Sequence, residues 1–182
     1  MKKIYLLFSV TMFFVVLSTM PVGAATISYN ATDIADVNLG EDLWEYSYSL
    51  SDHIFAADTG FTIYFDFGLY DLLDPYPKAP NADWDIITWN PDPSLPDDGA
   101  YDAYALIDDA SLSDLFMVSF VWLGSESGPD SQFYEIYDGL SWDVLEDGYT
   151  TVAAAPVPEP ATAILLVSGL LSCFLVRKKI QP

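Results

Sequence analysis

The central part of this 182-residue chain predicts an all-β fold, a single antiparallel β-sandwich or jelly roll. Three observations carry that expectation. Apolar and polar residues alternate with period two in successive short runs, turn residues separate the runs, and no stretch carries a convincing amphipathic helical pattern. Ile27–Asn30 reads as a first short strand. In the second, Trp44, Tyr46, Tyr48 and Leu50 take one side while Glu45, Ser47 and Ser49 take the other. Phe61, Ile63, Phe65 and Phe67 alternate in the same way with Thr62, Tyr64 and Asp66. Short strands follow at Ile86–Trp89 and Tyr101–Ile107, and Asp108–Leu115 has room for one helical turn.

Phe116, Val118, Phe120 and Trp122 share a face, and Met117, Val121 and Leu123 make the opposite face apolar too. That pattern is expected of a central strand covered on both sides. Phe133–Tyr137 and Leu140–Leu145 are joined by Asp138-Gly139, a two-residue hairpin signal. Glu146-Asp147-Gly148 then turns the chain before a last strand at Tyr149–Val152. No repeat of 20–50 residues is present, which excludes a solenoid or propeller.

Residues 71–99 break the alternation. Six of the 12 prolines lie between Pro75 and Pro96, and Asn90 through Gly99 suits neither a helix nor a central strand. A long, proline-stiffened surface loop is expected there, and such loops on rigid scaffolds often carry function.

The two ends read as addresses. Residues 1–24 place Lys2 and Lys3 before an apolar run from Ile4 to Leu17, then the small residues Val22-Gly23-Ala24. This is the order of a cleavable signal peptide, with signal-peptidase cleavage after Ala24 or after Ala25 fitting equally well. Near the other end Ala161–Val176 is apolar, long enough for a helix of about 24 Å. That is slightly short of a bilayer core and reads as a single transmembrane helix. Arg177-Lys178-Lys179 follows at once, within a basic tail (177–182) expected on the cytoplasmic side of the inner membrane. The organisation expected is therefore a signal peptide (1–24), an acidic β domain (25–152), a linker (153–160), a membrane helix (161–176) and that tail. Residues 25–157 hold 26 carboxylates against the single base Lys78. A charge balance of that kind excludes nucleic acid and anionic membrane surfaces as electrostatic partners.

In the linker, Val157-Pro158-Glu159-Pro160 forces an extended, accessible strip, because proline flanks Glu159 on both sides. This strip, the apolar helix and then Arg177, Lys178 and Lys179 resemble the PEP-CTERM sorting tail, also known as the ice-binding protein C-terminal domain. The resemblance covers about residues 156–179. It implies processing by an exosortase in an exopolysaccharide-producing Gram-negative bacterium, with the mature protein at the cell surface or outside the cell. The body is also similar to a recurrent group of PEP-CTERM proteins without a characterised activity. The segments that carry this similarity are Gly60–Tyr70, Pro93–Tyr101 and Phe133–Asp138.

Catalytic groups are scarce. His53 is the only histidine, Cys173 the only cysteine, and no Gly-x-Ser-x-Gly elbow occurs. Thiol chemistry and disulfides are thus excluded for the body, and one histidine makes a zinc site improbable. Paired carboxylates suited to glycoside hydrolysis have no specificity among 26 acids, so a surface hydrolase is the weakest reading. Twenty-one of those acids are Asp, the short carboxylate with which β-domain loops commonly hold calcium. Asp92, Asp97, Asp98 and Asp102 are the candidate calcium ligands; no other cofactor is expected. Tyr70, Tyr76, Trp84 and Trp89 flank the proline loop as candidate sugar-stacking rings, though most aromatics are expected to fill the core. The leading expectation is a non-enzymatic structural or adhesive protein of the cell surface or exopolysaccharide. The alternative is a calcium-dependent carbohydrate-binding module.

Overall fold

The computed structural model describes residues 24–125 and 128–154. They form ten strands: β1 Thr26–Asp33, β2 Leu43–Ser51, β3 Thr59–Phe65, β4 Tyr70–Asp71, β5 Trp84–Trp89, β6 Gly99–Ala105, β7 Phe116–Trp122, β8 Phe133–Asp138, β9 Val144–Tyr149 and β10 Thr151–Val152. These make two five-stranded sheets, ordered β10-β1-β2-β7-β4 and β5-β6-β3-β8-β9. Pairing is antiparallel throughout, apart from the short parallel contact of β10 with β1. Only β1–β2, β5–β6 and β8–β9 are consecutive strands paired side by side; every other connection changes sheet. The expectation of an all-β domain is met.

Alternation explains why the sheets face each other. Tyr46, Tyr48 and Leu50 on β2, Phe61, Ile63 and Phe65 on β3, and Phe116, Val118 and Phe120 on β7 all turn into one core. Rings from the two sheets meet there: Phe61 lies 5.1 Å from Phe116, Phe65 5.8 Å from Phe120, and Trp84 5.0 Å from Phe116. Burying rings of this size supplies a large apolar contribution, and their edge-to-face contacts add to it.

The core tyrosines need partners for their hydroxyls, and the 130–134 segment is involved for several of them, although the buried Tyr101 hydroxyl has no partner among the described residues. The Tyr46 hydroxyl donates to the Asp130 carbonyl at 2.6 Å, and Tyr48 donates to Gln132 Oε1. Gln132 in turn donates to the Tyr64 carbonyl at 3.2 Å, while Tyr134 reaches the Ala25 carbonyl at 2.9 Å. Burial pushes the Tyr46 and Tyr48 phenols well above their ordinary range, so both remain neutral donors.

Several expected elements differ. Asp108–Leu115 contains no helical turn. The Asp108 carboxylate is used by the Ala57 N–H and the Ser111 N–H is taken by Asp83, while the chain makes a non-helical turn at Asp108–Asp109, where Asp109 has a φ of 55°. Asp138-Gly139 is not a two-residue turn. Tyr137 pairs with Val144, and Asp138 caps a longer loop by accepting from Leu140 and Ser141 N–H. Consequently only Val144 and Leu145 of the expected Leu140–Leu145 strand are extended, and the expected turn at Glu146-Asp147-Gly148 lies inside β9. The outer face of β7 is covered only in part, since Val121 is buried there while Met117 and the neighbouring Leu123 are exposed. The proline-rich stretch is less of a surface loop than its composition suggests. Leu73 and Pro91 are buried and β5 runs through it, so the exposed loop residues divide between a stretch that includes Leu72, Pro75, Tyr76 and Lys78 and a turn closed between Asp92 and Asp97. Of the expected signal peptide (1–24) all but Ala24 lies outside the described residues, as do the strip Val157-Pro158-Glu159-Pro160, the apolar segment 161–176 and the basic tail. Among the described residues no helix is long and apolar enough to cross a membrane.

Candidate functional site

The two sheets present different outer faces. On the β1–β2–β7 side the outward residues are mostly small and polar: Ser28, Asn30 and Thr32 oppose Ser49, Ser47 and Glu45. Such a surface is ordinarily solvated. The outer face of the other sheet carries rings and carboxylates instead.

Strand register sorts that face into three rows running across the strands. In the first, Trp89 and Tyr64 both pair with Ala100, and Tyr64 stacks on Phe133 with 5.8 Å between ring centroids. Phe133 meets Tyr149 at 5.5 Å, which carries the row to the last strand. The second row runs Ile87, Asp102, Thr62, Glu135, Asp147. The third runs Asp85, Tyr104, Gly60, Tyr137, Val144. A lane of carboxylates thus lies between two aromatic rows. Five strands make each row about 19 Å long, and successive rows stand about 7 Å apart.

Local chemistry holds the rings in place. Gly60 leaves the space in which the Tyr137 ring lies against the sheet: a Cβ there would come within 2.6 Å of the Tyr137 hydroxyl and of the Ala103 carbonyl. Tyr137 then supports Trp142, whose ring stacks almost parallel to it, at 14° and 6.0 Å. Trp142 adopts a left-handed backbone with φ of 62°, a conformation costly for a bulky side chain. It is nonetheless 76 % exposed. Tyr149 and Trp89 are also largely open, at 66 % and 52 %.

The carboxylates are fixed by neighbouring hydroxyls. Thr62 donates to one oxygen of Asp102 at 2.8 Å and Tyr137 to the other at 3.1 Å. Burial raises the Asp102 carboxyl above its usual range, and these two donors partly oppose the shift. Tyr64 donates to Glu135 at 2.7 Å. Burial first, then the hydrogen bond to Glu135 and its charge, push the Tyr64 phenol up, so it stays a donor. Chemically, the face offers flat apolar rings beside oriented hydrogen-bond acceptors.

The candidate calcium ligands are placed apart in function. The Asp92 carboxylate accepts from the Ser94 N–H at 2.8 Å and its hydroxyl at 2.6 Å, which lowers its pKa. Asp97 exchanges main-chain hydrogen bonds with Asp92. Asp98 accepts from the Phe67 N–H at 2.7 Å, and Asp102 belongs to the sheet face just described. Among the described residues no three His, Cys, Asp or Glu gather as a metal-holding group. Of the ring candidates, Trp84 and Tyr70 are core residues, with the Trp84 N–H donating to the Ser111 carbonyl. Tyr76 is exposed, and Trp89 alone joins the three-row face. His53 is half-buried against Phe55 at 4.4 Å, and that burial lowers its pKa. Ala25, one of the two candidate cleavage positions, is buried at the start of β1.

Tyr64, Phe133, Glu135, Tyr137, Trp142, Asp147 and Tyr149 were not singled out by sequence reasoning. A signal was present in the outward positions of the alternating strands, where Tyr64 and Phe133 stand in place of the usual small polar residues. Neither protein-family models nor curated proteins match this chain.

Proposed function

We propose that the chain is an exported, non-enzymatic protein of the PEP-CTERM kind, trimmed by a signal peptidase and an exosortase. Its folded body would be a jelly-roll-like sandwich that acts structurally or adhesively at the cell surface by holding exopolysaccharide. The tail order Val157-Pro158-Glu159-Pro160, apolar segment, Arg177-Lys178-Lys179 supports the sorting route. The six connections that change sheet support the jelly-roll reading. On this reading cleavage falls after Ala24, because Ala25 is buried and its carbonyl accepts the Tyr134 hydroxyl. Recovered from its host, the mature protein should have a mass that begins at Ala25 and lacks residues 161–182; an intact tail would defeat the sorting proposal.

The observation that carries the glycan role is the pair of aromatic rows with Trp142 held exposed in a strained backbone. Rings fixed in this way lose little entropy on binding, and sugar C–H faces pack on them while hydroxyls meet the carboxylate lane. The test is co-sedimentation of the full chain, in neutral detergent, with polysaccharide from its own producer. Trp142→Ala and Trp89→Ala should each weaken retention by about ten-fold or more. Retention should be the same with and without millimolar calcium. A strict calcium requirement, with both tryptophan variants binding normally, would transfer the site to the Asp92–Asp98 turn and the calcium-dependent alternative.

A further inference from the structure

From the middle row we infer that the glycan recognised by this face carries free amino groups: a linear polysaccharide of partly or wholly de-N-acetylated amino sugars. The inference rests on the glycan reading above and specifies its substrate class. Four carboxylates stand within the rows, Asp102, Glu135 and Asp147 in the middle one and Asp85 beside it. Residues 24–154 hold one base, Lys78, and it stands in none of the three rows. The face therefore presents negative charge with no positive group interleaved.

That charge selects among polymers. An anionic polysaccharide laid over the face meets like charge at close range. A neutral one covers carboxylates while offering them only hydroxyl donors. An ammonium-bearing sugar offers charge-assisted hydrogen bonds, the stronger kind, to the same oxygens. The rings contribute from both sides, since a cation near an aromatic face is attracted to it while the sugar ring packs on its neighbour. The lane crosses five strands over about 19 Å, which suits an extended unbranched chain. Glu135 accepts from the Tyr64 hydroxyl and is held in place before a ligand arrives, while the half-buried Asp102, whose two oxygens already accept from Thr62 and Tyr137, adds to the negative field beneath the lane. Preorganisation of that kind favours binding over re-solvation.

The test uses calorimetric titration of the full chain in neutral detergent, at about pH 5.5 so that the amines are charged while most carboxylates remain ionised. The probes are a glucosamine hexamer, the same hexamer fully N-acetylated, and hexalysine. The glucosamine hexamer should bind about ten-fold tighter than its acetylated form, and the gap should narrow at about 0.5 M salt. Glu135→Gln with Asp147→Asn should weaken the glucosamine hexamer by a clearly larger factor than the acetylated one and so narrow the gap, whereas Trp142→Ala should weaken both sugars by similar factors. Thermal melting of each variant confirms that the fold is retained. Equal affinity for the two hexamers overturns the inference but leaves glycan binding standing. Hexalysine binding as tightly as the glucosamine hexamer also overturns it, by showing that charge alone suffices. If neither sugar binds, the inference and the glycan reading fall together.

Discussion

Phe61→Ala is expected to reduce the stability of the β domain by about 3–5 kcal/mol. Phe61 is fully buried and touches rings from both sheets, with Phe116 at 5.1 Å, Phe55 and Trp84 each at 5.9 Å, and Tyr101 at 6.5 Å. Those neighbours are fixed by sheet pairing or by their own hydrogen bonds, so the vacated space cannot collapse. The cost therefore combines lost burial with an open cavity. No disulfide is available to the body to compensate, because Cys173 is the only cysteine. The measurement is urea unfolding, in which the midpoint should fall while the slope is unchanged. Phe61→Leu should cost clearly less. A loss below about 1 kcal/mol for the alanine variant would mean that the two sheets do not share this core.

Gly60→Ala should cost about 2–3 kcal/mol although it adds one methyl group. The new Cβ would lie 2.6 Å from the Ala103 carbonyl oxygen, a backbone atom held in the β3–β6 ladder, and 2.8 Å from Tyr137 Cζ. The ring can swing away; the carbonyl cannot without disturbing the ladder. Displacing Tyr137 also frees its hydroxyl from Asp102 and removes the platform beneath Trp142. Sugar retention should therefore fall together with stability. Adding Tyr137→Ala to Gly60→Ala separates the causes, because the clash with the carbonyl persists after the ring is gone. A Gly60→Ala protein that melts like the parent would disprove the close approach.

Alternation made the fold class legible. The runs Trp44–Leu50, Phe61–Phe65 and Phe116–Trp122 each mark a strand and its buried side, because burial of one face imposes period two, whereas Phe67, expected on the same side as Phe61, lies past β3 and is exposed. β4, at two residues, is too short to leave a period. The β8–β9 loop misled because Asp138-Gly139 is a hairpin signal only when no side chain competes. Here the Asp138 carboxylate builds a longer loop, and the Gly139 N–H is drawn to the Asp58 carbonyl at 2.7 Å. The acidic proline stretch attracted attention by composition, yet its carboxylates satisfy nearby backbone N–H groups at Ser94 and Phe67. The aromatic rows stayed hidden for a different reason. They join Trp89, Tyr64, Phe133 and Tyr149 across four strands, and only register brings residues so far apart in the chain into line.

Three of the five tryptophans give the molecule two optical reporters of different kinds, with the half-buried Trp44 and Trp122 adding a constant background between them. Trp84, sealed among Phe55, Phe61 and Phe116, should emit at short wavelength and report on the integrity of the interior. Trp89 and Trp142, open to water on one surface, should emit further to the red and be quenched by dissolved iodide. A polymer settling over them should shield the red-edge component and leave the blue one untouched. Occupancy and unfolding can thus be followed separately, in one cuvette and without a dye.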